Sequence, residues 1–301
     1  MPRIGTPISA LEHVRRMRGG TQSHLMRCSD KQYYVVKFKN NPQGIRILAN
    51  ELLASILASK LGLPVAETAI VDVDARLIRY TQELVIQLEN SRVPCRSGLC
   101  FGSRYPRGPV SDASCLPPAV DLMPTDLLYK VSNITDFVGM LVFDKWTGNT
   151  DDRQSVFLRQ GQSSYRAWMI DHGSCFNGME WNFPDLPRRG VYFRGLVYDE
   201  IRELKAFDWW ISRIEQEMTE SVLTSAFEAI PPEWYAYDES SILRLLDMLD
   251  QRRTKLRALI CATAMTLPKL FPNWNPDGAQ SMTRSASASN STFGQRSLQK
   301  A

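Results

Sequence analysis

The fold is decided by one polar stretch near the middle of the chain, Gly148-Asn149-Thr150-Asp151-Asp152-Arg153-Gln154. It follows a segment of helical spacing and leads into Ser155-Val156-Phe157-Leu158, which predicts a strand. Phosphoryl transfer needs a carboxylate that positions the acceptor hydroxyl, and neighbouring side chains that hold this carboxylate and a metal. A polar turn between apolar elements supplies such a place, with Asp151 as the candidate. The competing interpretation is a capped turn, because Asn and Asp are common turn formers.

A second carboxylate ends the next apolar run, Trp168-Met169-Ile170-Asp171-His172-Gly173. Asp171 comes 20 positions after Asp151 (171 minus 151). A carboxylate at a strand end, followed by a glycine that lets the backbone turn away, can hold a magnesium ion against nucleotide phosphates. Single D-x-G triplets are frequent, so the motif needs support from the rest of the chain. We interpret His172 as a structural or solvent-exposed histidine rather than a catalytic base.

A lysine within an apolar strand precedes both carboxylates, in Val35-Val36-Lys37. Glu51 follows 14 positions later (51 minus 37), on the next predicted helix. A lysine in such a strand needs an anionic partner, which in kinases is a helix glutamate together with the nucleotide phosphates. The alternative is a strand-end lysine that faces solvent, since Lys39 shares its face at a period of two.

The flanking patterns predict a β-rich first half with one main helix. Apolar and aromatic residues around the polar cluster 29–32 predict a hairpin, with Gly19-Gly20 at its entry. The segment 47–61 is rich in Leu, Ala and Ile and predicts a helix that ends before a Gly-Leu-Pro stop. Weaker β patterns follow at 64–73 and at 77–88, the second as a strand pair.

The second half is predicted to be mainly helical. Residues 90–123 are rich in Pro, Gly, Ser and Cys, so we expect loops there, around a short strand at Leu99-Cys100-Phe101. The helical pattern starts after Asp126. The later predicted elements are a loop at 182–190 and helices near 206–214, at 221–229 and from 240 to about 265.

The composition limits the possible functions. The 301 residues carry a net charge of +4, with 44% hydrophobic and 23% charged residues, as in an ordinary globular protein. Arginine-rich stretches at 13–18 and 252–257 are interpreted as solvated faces rather than nucleic-acid surfaces. No segment offers about 18 continuous apolar residues for a membrane span, and the chain starts without the apolar core of a signal peptide. Six cysteines without a C-x-x-C pair disfavour a structural metal and fit reduced thiols in the cytoplasm.

The order of the motifs is more specific than any one of them. A glycine pair, a strand lysine, a helix glutamate, a turn aspartate and a strand aspartate follow one another from Gly19 to Asp171. A binding scaffold has no need to place one lysine and two carboxylates in this sequence. We therefore favour an ATP-handling, kinase-like core over coincidence.

Several stretches resemble the HipA-like kinase family, in particular its short, kinase-only branch without the extra N-terminal domain of the toxin. In the first half of the chain the resembling stretches are Gly19-Gly20-Thr21-Gln22-Ser23-His24-Leu25, Tyr34-Val35-Val36-Lys37-Phe38-Lys39-Asn40-Asn41-Pro42-Gln43-Gly44, Asn50-Glu51-Leu52, Gly62-Leu63-Pro64 and Phe101-Gly102-Ser103-Arg104. Further along they are Phe143-Asp144-Lys145-Trp146-Thr147-Gly148-Asn149-Thr150-Asp151-Asp152-Arg153-Gln154 and Ile170-Asp171-His172-Gly173. They lie between residues 15 and 175, and the helical remainder is compatible with this family.

The resemblance implies an α+β class and a two-lobed protein-kinase-like fold, with a small β-rich N-lobe, one main helix in that lobe and a mainly helical C-lobe. Residues 1–123 would form the N-lobe and the interlobe connection, and residues 124–274 the C-lobe with the catalytic loop. Residues 275–301 are predicted to be a disordered, Ser-rich tail, because they offer too few apolar groups to offset ordering entropy. ATP would bind in the interlobe cleft.

The resemblance also implies a role for each motif. Lys37 would contact the α and β phosphates and Glu51 would orient Lys37. Asp151 would be the catalytic aspartate, and Asp171 would coordinate Mg2+. The residues expected in the loop over the phosphates are Gly19, Gly20 and Ser23. Ser23 is also a candidate for self-phosphorylation, with a phosphate hydrogen bond as the alternative.

One position departs from the wider kinase pattern. Many kinases place an asparagine metal ligand five positions after the catalytic aspartate, where this chain has Val156. Gln154 or Asn149 would have to substitute for it as a polar residue at the nucleotide. The departure leaves open a second hypothesis, a nucleotide-binding pseudokinase that acts as a regulatory binding module.

The leading hypothesis is a phosphotransferase that depends on ATP and Mg2+ and acts as a Ser/Thr protein kinase. Its phosphoacceptor is expected to be a protein rather than a lipid or a small molecule. A third hypothesis assigns the tail or the stretch 252–257 to a nucleic-acid or regulator contact, and the charge distribution disfavours nucleic acid.

Overall fold

The computed structural model describes residues 6–105 and 119–275. Residues 106–118 of the predicted interlobe connection, and 276–301 of the predicted tail, lie outside the described residues. Within the described ranges the strands are β1 (Ile8–Arg16), β2 (His24–Cys28), β3 (Tyr33–Lys37), β4 (Thr68–Val73), β5 (Val85–Gln87), β6 (Arg92–Pro94), β7 (Gly98–Arg104), β8 (Gln154–Gln160) and β9 (Ser164–Ile170). The α-helices are α1 (Arg46–Lys60), α2 (Ala75–Tyr80), α3 (Asp136–Thr147), α4 (Asp208–Glu217), α5 (Glu220–Phe227), α6 (Glu239–Arg252) and α7 (Leu256–Thr266). None of these helices is long and apolar enough to cross a membrane.

The first lobe is built around a closed barrel with the strand order β1-β2-β3-β7-β4. Neighbouring strands are antiparallel except where the barrel closes, where β1 pairs in parallel with β4 through Ile8 opposite Val71. Alternate side chains along a strand point to the same side. In β3 this alternation places Tyr34 and Val36 together in a buried apolar cluster of the barrel. The predicted hairpin of β2 and β3 is confirmed.

The main helix of the first lobe, α1, packs into the largest apolar core, which extends into the second lobe. Every residue from Ile47 to Ala58 is buried, which explains why the helix is not apolar along one stripe only. The predicted helix at 47–61 is confirmed. Glu51 lies in the middle of this buried run, so its charge needs a partner within the protein.

The second lobe starts with the buried helix α3. Gly139 allows α4 to approach α3 closely, because a Cβ atom at this position would lie 2.3 Å from a ring carbon of Trp210. Trp146 donates its indole N–H to the carbonyl of Leu249 at 2.9 Å and joins α3 to α6. The hairpin of β8 and β9 follows, with Gln154 opposite Ile170. The start of β8 and the end of β9 therefore lie side by side after α3.

Two predicted elements need correction, and two strands, β1 and β6, were not predicted. The predicted strand pair at 77–88 is instead α2 followed by β5, since the side chain of Asp74 accepts the N–H of Arg76 and caps this short helix. The predicted helix at 240–265 is divided into α6 and α7 by the 3-10 turn Arg253–Lys255. The stretch 13–18, interpreted as a solvated face, overlaps the unpredicted strand β1.

Candidate active site

Lys37 connects three elements that are far apart in the sequence. It ends β3, and its side chain is buried with only 8% of its surface exposed. Its Nζ donates a hydrogen bond to Oε1 of Glu51 on α1 and another to Oδ1 of Asp171, 2.9 Å away, after β9. The structure therefore excludes the alternative of a solvent-facing lysine and brings together the lysine, the helix glutamate and the strand-end aspartate.

The electrostatics of this group keep the lysine charged. Burial alone would lower the pKa of Lys37, but the carboxylates of Glu51 and Asp171 outweigh burial and raise this pKa above its usual value. Lys37 in turn lowers the pKa of Glu51 against the opposing effect of burial. A charged lysine next to a partly open carboxylate is suited to contact a ligand that carries several negative charges.

Asp171 lies where the chain turns sharply away from β9. Its φ of +58° is uncommon for a residue other than glycine. Its side chain is 30% exposed, in contrast to Lys37 and Glu51, so it opens toward solvent. His172 is buried, with Nδ1 3.8 Å from Oε2 of Glu51, which agrees with a structural role. Its Nε2 has no hydrogen-bond partner among the described residues.

The turn that carries Asp151 begins at the end of α3. Gly148 ends this helix at φ +59°, and a Cβ atom there would lie 2.7 Å from the ring of Phe183, so both conformation and space favour glycine. The backbone N–H of Asp151 donates to Oδ1 of Asn149 at 3.0 Å, and its carbonyl accepts the N–H of Gly190 at 2.8 Å. The exposed carboxylate of Asp151 is therefore presented by a fixed backbone.

A buried ion pair on the protein side of this turn holds it in place. Arg153 donates from Nε and Nη2 to the two carboxylate oxygens of Asp144, at 2.7 Å and 2.5 Å, and neither side chain is exposed. Its Nη1 donates to the carbonyl of Ile170 at 2.7 Å. Bidentate charged hydrogen bonds of this kind fix geometry strongly. Arg153 thus fixes the position of the Asp151 turn relative to the residue that precedes Asp171.

Gln154 and Asn149, the two predicted substitutes for the missing asparagine, have different surroundings. The Nε2 atom of Gln154 lies 3.4 Å from a carboxylate oxygen of Asp151 and 3.4 Å from one of Asp171. The amide of Asn149 is buried, donates to Asp144 at 3.0 Å and accepts from the backbone of Asp151. Val156 lies further along β8, opposite Trp168. Gln154 therefore lies between the two carboxylates, whereas the side chain of Asn149 is buried and holds the backbone of the turn.

The predicted glycine loop connects β1 to β2 and is anchored to β5. Gln22 accepts the backbone N–H of Gln87 and donates to its carbonyl, both at 2.7 Å. Ser23 is 4% exposed, and its carbonyl accepts the N–H of Met17 at 2.8 Å. The serine hydroxyl is buried in this conformation, and self-phosphorylation of Ser23 stays a prediction. Gly19 and Gly20 lie at the exposed turn of the loop.

Sequence reasoning missed the anchoring role of Lys145 on α3. Its Nζ donates to three backbone carbonyls of the loop after Asp171, those of Leu186, Pro187 and Arg189, at 3.2, 2.9 and 2.5 Å. Burial lowers the pKa of Lys145 to about 8, although Asp144 opposes the shift. The signal that could have revealed both Asp144 and Lys145 is the presence of two adjacent charged residues within an otherwise apolar helix.

The donor atoms of the site suit a hard divalent cation. Carboxylate oxygens are ligands that Mg2+ prefers, and the carboxylates of Asp151 and Asp171 approach each other around Nε2 of Gln154, at 3.4 Å from each. Within the residues that the structure describes, no three His, Cys, Asp or Glu side chains are grouped so that they could hold a metal ion by themselves, at this site or elsewhere.

A β-barrel lobe, a helical lobe and a lysine–glutamate–aspartate group between them define a protein-kinase-like fold. The structure is similar to that of the proinflammatory kinase CtkA from Helicobacter pylori, with a TM-score of 0.53 and 17% identity, covering 87% of this chain and 100% of that chain. It also matches the Golgi casein kinase with Mn and ADP bound, with a TM-score of 0.45 and 14% identity, covering 86% of this chain and 74% of that chain. A comparison with curated proteins finds no match.

The sequence comparison assigns a particular kinase family, whereas the structural comparison assigns only the fold. The model of the HipA-like kinase family matches residues 11–263. The chain therefore belongs to the HipA-like kinase family, and the resemblance seen in the motifs is confirmed.

Proposed function

We propose that the chain transfers the γ-phosphate of ATP to a Ser or Thr hydroxyl of a protein, in a reaction that depends on Mg2+. The observation that carries this proposal is the position of Lys37, which bonds both Glu51 and Asp171. This arrangement places one fixed positive charge beside one partly exposed carboxylate, as nucleotide phosphates and a cation require. ATP would lie in the cleft between the lobes, under the loop that contains Gly19, Gly20 and Ser23.

Each residue of the site has a proposed task. Lys37 would bind the α and β phosphates, and Glu51 would hold Lys37 in place. Asp171 would hold Mg2+, which neutralises charge on the phosphates when it is bound, and Gln154 would join it by turning its amide so that the oxygen, rather than Nε2, faces the ion. The proximity of Gln154 to both carboxylates supports its choice over Asn149 as the substitute for the asparagine missing at Val156. Asn149 would instead hold the backbone of the catalytic turn.

Asp151 is proposed to orient the acceptor hydroxyl and to accept its proton. Its carboxylate is exposed, and its backbone is fixed by Asn149 and Gly190, so little reorganisation is needed when an acceptor arrives. Because the carboxylate of Asp151 is exposed, a side chain of a folded or extended polypeptide can reach it. Together with membership in the HipA-like family, this openness favours a protein acceptor over a small molecule.

Phosphate transfer from labelled ATP with Mg2+ tests the proposal, with the labelled residue located by mass spectrometry. Wild type is expected to transfer phosphate, whereas Asp151→Asn should lose it by at least about 100-fold, because the hydroxyl is no longer oriented and deprotonated. Asp126→Asn serves as the matched control, since this carboxylate is exposed and is not one of the residues assigned to the site. Equal transfer by wild type and Asp151→Asn would contradict the assigned role.

The pseudokinase alternative rests on Val156, which cannot bind a metal. It predicts that ATP binds to wild type, that binding is lost in Lys37→Ala, and that no phosphate is transferred to protein under any metal condition. Calorimetry measures the affinity for ATP, and the transfer assay measures phosphate transfer to protein. Together they separate the two functions, because a kinase and a pseudokinase both bind ATP but only the kinase transfers phosphate.

A further inference from the structure

The loop that follows Asp171 contains a concentration of positive charge. The stretch Leu186-Pro187-Arg188-Arg189-Gly190-Val191-Tyr192-Phe193-Arg194, called here the arginine segment, has three arginines and no acidic residue. Asp185, just before it, is neutralised by Arg252 at 2.7 Å. The segment therefore carries a local excess of positive charge although the whole chain has a net charge of only +4.

The arginine segment is attached directly to the catalytic turn. The N–H of Gly190 donates to the carbonyl of Asp151 at 2.8 Å, and the N–H of Arg153 donates to the carbonyl of Val191 at 3.0 Å. Lys145 fixes the start of the segment through three backbone carbonyls. The arginine side chains therefore project from a backbone whose position relative to Asp151 is set by hydrogen bonds on both sides.

The three arginines differ in whether an acidic side chain of the protein already pairs with them. Arg188 is exposed, and no residue that the structure describes contacts its side chain with a hydrogen bond or ion pair. Arg194 is exposed and reaches only the backbone carbonyl of Asp121, at 3.4 Å. Arg189 pairs with Asp152 at 3.3 Å, with both side chains half exposed. Two positive charges on the segment that is hydrogen-bonded to the Asp151 turn are thus without an acidic partner among the described residues.

Resting on the proposed transfer activity, we propose that the arginine segment binds acidic side chains that flank the phosphorylated hydroxyl of a polypeptide. Guanidinium groups form paired hydrogen bonds with carboxylates, and such pairs give specificity at an open surface. Phe193 and Leu196, 39% and 42% exposed, add apolar contacts that suit a polypeptide. The substrate class of the site is therefore an acceptor protein with acidic residues near its Ser or Thr.

A nucleic acid fits this surface less well. It carries a negative charge at every nucleotide, so some phosphates would have to lie against the exposed carboxylates of Asp151 and Asp152. A polypeptide can place an uncharged hydroxyl at that point and its acidic side chains at Arg188 and Arg194. The distribution of charge along the occupant therefore favours a protein acceptor.

Fluorescence anisotropy tests binding independently of transfer. A labelled peptide with a central serine flanked by glutamates is compared with the same peptide carrying glutamines, using wild type, Arg188→Glu and the remote exposed control Arg76→Glu. Wild type and Arg76→Glu should bind the glutamate peptide about tenfold more tightly, and Arg188→Glu should remove most of this preference. High salt should reduce the preference in wild type. The same ratio is then measured for kcat/KM in the transfer assay.

Equal affinity of wild type for the two peptides would overturn the proposal, as would an unchanged preference in Arg188→Glu. Tighter binding of a labelled single-stranded RNA than of the glutamate peptide, lost in Arg188→Glu, would assign the surface to nucleic acid instead. A persistent peptide preference without phosphate transfer would contradict the proposed kinase activity but not the acidic preference, so the two failures are distinguishable.

Discussion

The indole N–H of Trp181 donates to Oδ1 of Asn50 at 2.8 Å and joins α1 to the loop that follows Asp171. The amide of Asn50 also donates to the carbonyls of Gly173 and Gly178, both at 2.8 Å. Asn50 is the neighbour of Glu51, which bonds Lys37. One buried amide therefore holds the loop to the helix that positions the lysine.

Asn50→Ala should destabilise the protein by about 3 kcal/mol, because the Trp181 N–H, the buried carbonyl of Gly173 and the partly buried carbonyl of Gly178 would lose their partner. Urea unfolding measures this change, and limited proteolysis should show earlier cleavage within residues 173–181. Asn182→Ala is the control, since its side chain is exposed and makes one bond to Asn177. If Asn50→Ala lowers the unfolding free energy by no more than Asn182→Ala does, the hydrogen bonds of Asn50 add no stability.

Lys37→Met should destabilise the protein by about 3–5 kcal/mol, because Glu51 would remain buried with an unpaired charge. Adding Glu51→Gln to this variant should restore part of the loss, since the neutral amide no longer needs a cation. Urea unfolding of the two single variants and the double variant completes the cycle. Lys60→Met, at the exposed end of α1, should change stability by less than about 0.5 kcal/mol. If the loss of unfolding free energy in the double variant equals the sum of the losses in the two single variants, Lys37 and Glu51 are not coupled.

Gln154→Ala should increase the Mg2+ concentration needed for half-maximal transfer, by about 10- to 100-fold, if its amide completes the metal site. A Mg2+ titration of the transfer rate at saturating ATP measures this. Gln162→Ala, in the exposed turn between β8 and β9, should leave the titration unchanged. A lower maximal rate with the same Mg2+ midpoint would assign Gln154 to orientation of the carboxylates and not to metal binding.

His24 should make folding stability depend on pH between about 4 and 6.5. Burial, with repulsion from His13 and Arg16, lowers the pKa of His24 to about 4 from 6.5. In this range the unfolded chain takes up a proton that the folded protein does not, so the unfolding free energy falls as pH falls. From pH 7 to pH 5 this single group should remove about 2 kcal/mol.

Urea unfolding at pH 7 and pH 5 measures this contribution as a difference between wild type and His24→Gln. The variant should lose about 2 kcal/mol less than wild type over this interval, since glutamine does not titrate. An equal loss in both proteins would show that His24 is not the group that takes up the proton.

The grouping of Lys37, Glu51 and Asp171 could be predicted because each motif is a short local pattern and the motifs follow one another in a recognisable order along the sequence. Lys37, Glu51 and Asp171 were expected to act together, and the structure joins them by hydrogen bonds. The main helix was predicted because its apolar run is long and ends at a clear stop. These features depend on neighbours within one or two turns of the chain, where pattern and propensity are informative.

Other features depend on partners distant in the sequence. The pairing of Arg153 with Asp144 and the anchoring of the loop by Lys145 require the hairpin and helix to be placed first. The arginine segment escaped notice because Arg188 and Arg189 form only a short basic pair, Arg194 follows five positions later (194 minus 189), and the group gains meaning only through its hydrogen bonds to the Asp151 turn. The helix α2 depends on one capping side chain, Asp74, rather than on an apolar period.

The closed barrel also determines the order in which the first lobe can be assembled during synthesis. Its strand order places β7 between β3 and β4, so β4 has no neighbour on that side until residues 98–104 have left the ribosome. Before that point the early hairpin and α1 expose unpaired backbone groups and apolar surface. The strand that carries Lys37 therefore gains its second neighbour only when β7, a strand made after α1, is added beside it, and Asp171, the second partner of Lys37, is made later still.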